Sequence, residues 1–214
     1  MDINRFVLHG RLTVPPELRY TEKSIAMVRF PIACERPYQA SSEGGKKVDY
    51  IPVLVWREYA ERVANNLQRG QECAVTGRLQ SMVRQDAHMN RHEVMAQDVI
   101  FGQHHRGLAK DINQAFFTGR LTKDPELHYV GADSVAVCRF MVVVERDYKP
   151  RGAEKADTDY IPVLAWRSYA ERLANDLKTG MGVAVIGRLQ ARKHQQQPSV
   201  SMHEVHAEQV KYGN

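Results

Sequence analysis

The feature that most constrains this chain is that it repeats itself. Gly10-Arg11-Leu12-Thr13 returns as Gly119-Arg120-Leu121-Thr122, and Pro16-Glu17-Leu18 as Pro125-Glu126-Leu127. Each of the second pair is followed two positions on by a tyrosine, Tyr20 and Tyr129. The stretch from Asp49 to Arg62 recurs almost unchanged from Asp159 to Arg172. Gly77-Arg78-Leu79-Gln80 returns as Gly187-Arg188-Leu189-Gln190, and His92-Glu93-Val94 as His203-Glu204-Val205. The offset drifts only from 109 to 111 residues along the whole length. A shared order of motifs at one period is a tandem duplication, here of a unit of about 105 residues, close to the commonest domain size. Residues 1–102 are expected to form the first domain and 113–214 the second. The connector between them, 103–112, follows from the loss of alternation after Phe101 and from Gly102 and Gly107.

Each half reads as five strands and one helix. Phe6-Val7-Leu8 runs into Gly10, and a glycine inside a strand marks a sharp bend or bulge. Pro15-Pro16 and Asp124-Pro125 predict a turn. Ile25 to Ala33 and Val135 to Val144 are rich in β-branched and aromatic residues, the composition of a strand. Tyr50 to Val55 and Tyr160 to Ala165 form a third strand. Pro52 and Pro162 in it lack an N–H, so each is expected where the ladder is broken or faces solvent. After Trp56 the period changes: Ala60, Val63, Ala64 and Leu67 fall on one helical stripe, with Gly70 placed as a C-terminal cap. Ala170, Leu173, Ala174, Leu177 and Gly180 repeat the pattern. Cys73 to Leu79 with Glu93 to Ile100, and Val183 to Leu189 with Val200 to Val210, supply the last two strands of each unit. A single short helix between strands three and four of a closed five-stranded Greek-key sheet is the OB-fold. The fold class expected is all-β, with two tandem OB-folds.

Composition narrows the function. Hydrophobic residues at 43% and charged residues at 26% suit a globular domain and exclude wholesale disorder. No stretch approaches the roughly 18 apolar residues of a membrane span, and Met1-Asp2-Ile3-Asn4-Arg5 is no secretory leader, so a cytosolic protein without membrane contact is expected. Thirty Lys+Arg against 25 Asp+Glu give +5, which permits a polyanionic partner without demanding one. Cys34, Cys73 and Cys138 are too few and too far apart for a disulfide framework or a zinc ribbon, and they read as small core residues. His203 and His206 face opposite sides of a strand, so no metal pair is expected there. No nucleotide loop or hydrolase motif occurs, and no catalytic residue, metal or cofactor is assigned.

The residues also resemble a known family. Asn4 to Leu12, Pro16 to Tyr20, Val55-Trp56-Arg57, Ala60 to Asn65, Gly77 to Gln80 and Glu93-Val94, with their counterparts in the second half, resemble the bacterial single-stranded DNA-binding protein family. Members usually carry one OB-fold and assemble four, and a few carry two per chain and dimerise. The resemblance therefore implies a homodimer presenting four OB-folds, acting in replication, repair or recombination. It also places base-stacking aromatics at Tyr38, Tyr50 and Trp56, and so at Tyr148, Tyr160 and Trp166. A fourth family aromatic falls in the loop between strands four and five, where this chain holds Arg84 and His194 instead. Either can stack on a base, though less strongly.

The residues support the same reading. Binding a single strand without reading its sequence needs aromatic planes for bases and cations for phosphates. Tyr50 and Trp56 share parity, while Ile51, Val53 and Val55 point the other way into the core, and Tyr160 and Trp166 repeat this. Arg11, Arg36 and Arg84 in the first half, and Arg120, Arg146, Lys149 and Lys193 in the second, are the nearest cations. The competing reading of the tryptophans is that they plug the barrel end over the helix, and Tyr20 and Tyr129 are expected to pack on the first hairpin. An OB-fold scaffold for protein assembly, or an RNA binder, is the alternative function. Family members commonly end in an acidic tail that recruits other enzymes, whereas this sequence stops at Val210-Lys211-Tyr212-Gly213-Asn214. Recruitment through such a tail is not expected, and loss, another surface or truncation each account for it.

Overall fold

A computed structural model describes residues 2–37, 47–83, 90–101, 111–147, 156–193 and 201–213. The chain divides into two compact units, Phe6–Gln114 and Ala115–Asn214, the latter joined by Met1–Arg5.

The first unit contains β1 (Asn4–Leu12), β2 (Glu17–Tyr20), β3 (Ala26–Glu35), β4 (Val48–Trp56), α1 (Glu58–Asn66), β5 (Glu72–Val83) and β6 (Asn90–Phe101). Five of these strands close a ring. β1 runs antiparallel to β5 from Phe6 to Arg11 and to β3 at Arg11 and Leu12. β3 pairs with β4 along its length, β4 meets β6 in parallel at Val53 and Leu54, and β6 returns antiparallel to β5. The ring closes because β1 changes partner at Gly10. A Cβ there would lie 2.2 Å from the Ala33 carbonyl oxygen, and one at Gly77, beside the β5 register shift, 2.2 Å from that of Met95. The Gly-Arg-Leu motifs thus mark the two places where backbone crosses backbone too closely for a side chain.

Along β3 burial alternates strictly, with Ala26, Val28, Phe30, Ile32 and Cys34 inward and Met27, Arg29, Pro31 and Ala33 outward. Inward residues of all five strands, with Ala60, Val63 and Leu67, make the core. The helix ends with Leu67 already extended. Gly70, expected as its cap, instead takes a positive φ of 87° in the turn that leads to β5. Pro31 and Pro52 face each other across β3 and β4. The ladder alternates, and the Arg36 N–H bonds the Lys47 carbonyl at 2.8 Å. Both prolines therefore fall at positions where no bond between these strands is lost.

The second unit repeats the first through β7 (Ile112–Leu121), β8 (Glu126–Val130), β9 (Val135–Glu145), β10 (Thr158–Trp166), α2 (Arg167–Asp176), β11 (Gly182–Lys193) and β12 (Ser201–Tyr212). It has the same pairings and the same parallel contact, Val163 with Val205 and Leu164 with His206. Two details depart from expectation. Glu17–Tyr20 and Glu126–Val130, outside the five strands expected per unit, are short strands on the β3 and β9 edges. The stretch Asp2-Ile3 belongs to the second unit: the Thr118 N–H donates to the Ile3 carbonyl at 2.9 Å, and the Glu145 N–H to the Asp2 carboxylate at 2.9 Å. Its repeat at Asp111 accepts the Glu35 N–H at 2.8 Å in the first unit.

Candidate nucleic-acid interface

In each unit the candidate side chains share one register parity of the third and fourth strands, which is buried at Leu54, Val137 and Leu164 and reaches solvent toward its ends. In the first, cross-strand pairs run Ala33 with Tyr50, Pro31 with Pro52, Arg29 with Leu54 and Met27 with Trp56. Tyr50 and Trp56 are six residues apart, about 20 Å along an extended strand, with Arg29 between them. In the second the pairs are Val143 with Tyr160, Met141 with Pro162, Arg139 with Leu164 and Val137 with Trp166. The aromatic rings on this face reach solvent: Tyr50 is 51% exposed, Tyr160 41% and Trp166 40%, and Trp56 is half-buried. Trp166 does not plug the barrel. The side chains that α2 and its C-cap residue turn into the core are Ala170, Leu173 and Leu177, all buried.

The backbone immediately after each tryptophan is held in a rare conformation. Arg57 and Arg167 have φ of 63° and 61° at the start of the helices, a region that non-glycine residues seldom occupy. The Arg57 N–H bonds the Ala26 carbonyl at 2.7 Å, which fixes the turn that sets the direction of the Trp56 side chain.

Arg29 and Arg139 are the cations that sequence reasoning missed. Each sits at the same register in an otherwise apolar strand, and that interruption, repeated in both halves, was the signal available. The Arg29 Nε donates to the buried Glu93 Oε2 at 3.2 Å, which orients the guanidinium along the face. In the second unit the equivalent Glu204 is ion-paired with Arg192, Nε to Oε1 at 3.1 Å, and lies in the field of Arg139. Burial pushes the Glu204 carboxyl above the usual range, opposed by Arg192 and Arg139. The indole of Trp166 is also held, its Nε1–H donating to His206 Nδ1 at 3.2 Å with ring centroids 5.9 Å apart.

The other expected cations divide. The Arg36 guanidinium is gripped by both oxygens of the buried Asp49, at 2.8 and 2.6 Å. Arg146 likewise spans Asp159, at 2.9 and 2.8 Å, and reaches Asp157 at 2.9 Å. These bidentate pairs lie at the base of the loop after β3 and β9, so both guanidinia are engaged within the fold. Arg11 is exposed and bonded to Glu72 at 2.8 Å, whereas Arg120 is exposed opposite Gly182. Lys193 ends β11. Tyr38, Arg84, Tyr148, Lys149 and His194 lie outside the described residues. Tyr20 and Tyr129, expected to pack on the hairpin, are exposed, and their hydroxyls donate to Glu61 and Glu171 of the helices at 3.1 and 3.3 Å. All three cysteines are buried, and burial pushes the Cys73 thiol up to about 12 and Cys138 up to about 11. Among the described residues no helix is long and apolar enough to cross a membrane.

Comparison with known proteins gives a consistent picture. The chain is 42% identical over 102 residues to the single-stranded DNA-binding protein of Caldanaerobacter subterraneus subsp. tengcongensis, covering 46% of this chain and 67% of that protein. It is 31% identical over 201 residues to that of Thermus aquaticus, covering 87% of this chain and 75% of the relative. The crystal structure of the wild-type Thermus aquaticus protein superposes on it with a TM-score of 0.80 at 27% identity, covering 100% of this chain and 94% of that one. The sequence model of the Single-strand binding protein family matches twice, at residues 3–101 and 112–212. Two matches laid end to end, each over one closed barrel, make this chain a member of that family with the domain duplicated.

Proposed function

We propose that the chain binds and protects single-stranded DNA without reading its sequence, and that it performs no catalysis. One observation carries the reading. Two aromatic rings, open to solvent at Tyr50, Tyr160 and Trp166 and half-buried at Trp56, share one strand face with an arginine between them, and both units repeat the arrangement. Every base has a π-face, so rings on β4 and β10 accept any base, and a cationic track follows the phosphates. Tyr50, Trp56, Tyr160 and Trp166 are the stacking platforms, with Tyr38 and Tyr148 assigned the same role by resemblance. Arg29 and Arg139 join Arg11, Arg120, Lys149 and Lys193 as the cations, with Arg84 and His194 on the loop beyond. Binding then displaces counterions, and affinity falls with salt by a slope of about 0.7 per phosphate neutralised on a single strand.

The assembly proposed is a homodimer carrying four OB-folds. Its support is an apolar patch on the second unit, where the exposed Phe116 and Ile186 are cross-strand partners and Ile3 is exposed as well. The place of action proposed is the bacterial cytosol or nucleoid, in replication, repair or recombination. Titration with oligo-dT at low salt, read by intrinsic tryptophan emission, tests the reading. A saturable change reversed by salt is expected. Unchanged emission with no binding would leave the interaction-scaffold alternative, and stronger binding to a matched RNA oligomer would reassign the substrate.

A further inference from the structure

The two barrels differ at one point of the candidate face. Parallel pairing sets Leu54 beside Met95 in the first unit and Leu164 beside His206 in the second. On the adjacent strand the partners are Arg78 and Arg188. Methionine and histidine thus occupy equivalent positions near Trp56 and Trp166. The indole N–H is a donor only, so its contact with His206 Nδ1 at 3.2 Å requires that nitrogen to carry a lone pair and no proton. Protonation would set two N–H groups against each other. Met95 has no such state.

We propose that His206 is a positioning residue for Trp166: the neutral imidazole pins the indole on the binding face, and stacking on the second unit, unlike the first, weakens as His206 takes a proton. This rests on Trp166 being a stacking platform. A ring already held in one rotamer loses less freedom when a base covers it, which is how pre-organisation raises affinity. Among the described residues, charged groups around the imidazole include Arg188 on β11, paired with Glu208 at 3.2 Å, and Glu204 two residues back on β12, bound by Arg192. On the other side lies Leu164 of β10, with Arg139 of β9 as its cross-strand partner.

Single-tryptophan forms of the full chain test it. In Trp56→Phe, emission from Trp166 in the DNA-free protein should titrate with one midpoint in the histidine range, about pH 6–7. Trp166→Phe, reporting Trp56, should stay flat, and Trp56→Phe/His206→Met should lose the titration. Oligo-dT affinity of Trp56→Phe should fall about three- to tenfold between pH 8 and pH 5.5, the effect of one neutral hydrogen bond. His206→Gln, whose amide oxygen accepts the indole N–H and does not titrate, should keep the pH 8 affinity at both values. Flat Trp166 emission, affinity that rises on acidification, or a His206→Met form that still titrates overturns the proposal. Absence of oligo-dT binding by every form at pH 8 would instead remove the stacking reading, while the DNA-free titration still decides the indole–imidazole contact.

Discussion

Replacing Trp166 by alanine is the perturbation whose size follows most directly from the structure. The residue is 40% exposed. Of the roughly 250 Å² a tryptophan can present, about 100 Å² is therefore open to a base. A stacked base that covers half to all of this removes about 50–100 Å² from water, worth about 1.3–2.5 kcal/mol at about 25 cal/mol per Å². That lies within the roughly 1–3 kcal/mol typical of base–aromatic stacking, and corresponds to a loss of about 10- to 70-fold in Kd. The assay is anisotropy of a short labelled dT oligomer at fixed salt, in a Trp56→Ala background so that the second unit dominates. Urea unfolding of the same proteins separates lost binding from lost fold. Phenylalanine at 166 should recover most of the affinity, because it restores the ring face without the N–H. A loss smaller than twofold in a stably folded Trp166→Ala protein would refute the assignment of the indole as a platform.

Three further outcomes follow from the fold. Gly10→Ala, whose Cβ would meet a backbone carbonyl at 2.2 Å, should cost about 1–3 kcal/mol or more in urea unfolding. Gly70→Ala has open space and pays only for its positive φ, about 1 kcal/mol, so equal costs would contradict the close-approach argument. Burial raises the folded pKa of Glu204 above its unfolded value, so its contribution is favourable at low pH and is lost as pH climbs above the ordinary 4.5. Glu204→Gln should therefore gain stability relative to wild type on going from pH 4 to about pH 8. A gain in the opposite direction would mean that the arginine partners dominate. The buried thiols, with Cys73 and Cys138 pushed up to about 12 and 11, should resist iodoacetamide near neutral pH in the native protein and react once it unfolds.

Much of this architecture was legible because it is periodic. The outward parity of Tyr50 and Trp56, the stripe through Ala60, Val63 and Leu67, and the bend at Gly10 all follow from local spacing, and the repeat states each twice. What was not legible depends on partners distant in sequence or on neighbours that carry no pattern. Glu17–Tyr20 is a strand with almost no buried residue, so it shows no apolar alternation, and only the β3 edge makes it one. Arg29 and Arg139 are not picked out by local spacing, because the carboxylates near them, Glu93 and Glu204, arrive from a strand far along the chain. Arg36 and Arg146 stand out in the sequence through their place beside Tyr38 and Tyr148. Their commitment to Asp49 and Asp159 depends on how the intervening loop closes, which no local rule specifies. His206 met Trp166 only through the contact between β10 and β12, which is parallel where the unit's other described pairings are antiparallel.

The central claim is tested most directly by asking which side chains touch the strand. Oligo-dT carrying 5-iodouracil, irradiated in complex with the full chain and digested for mass spectrometry, should give adducts on the outward faces of β4 and β10, at Tyr50, Trp56, Tyr160 and Trp166. Adducts confined to the helices, at Tyr59 or Tyr169, with those four residues unmodified, would contradict the account.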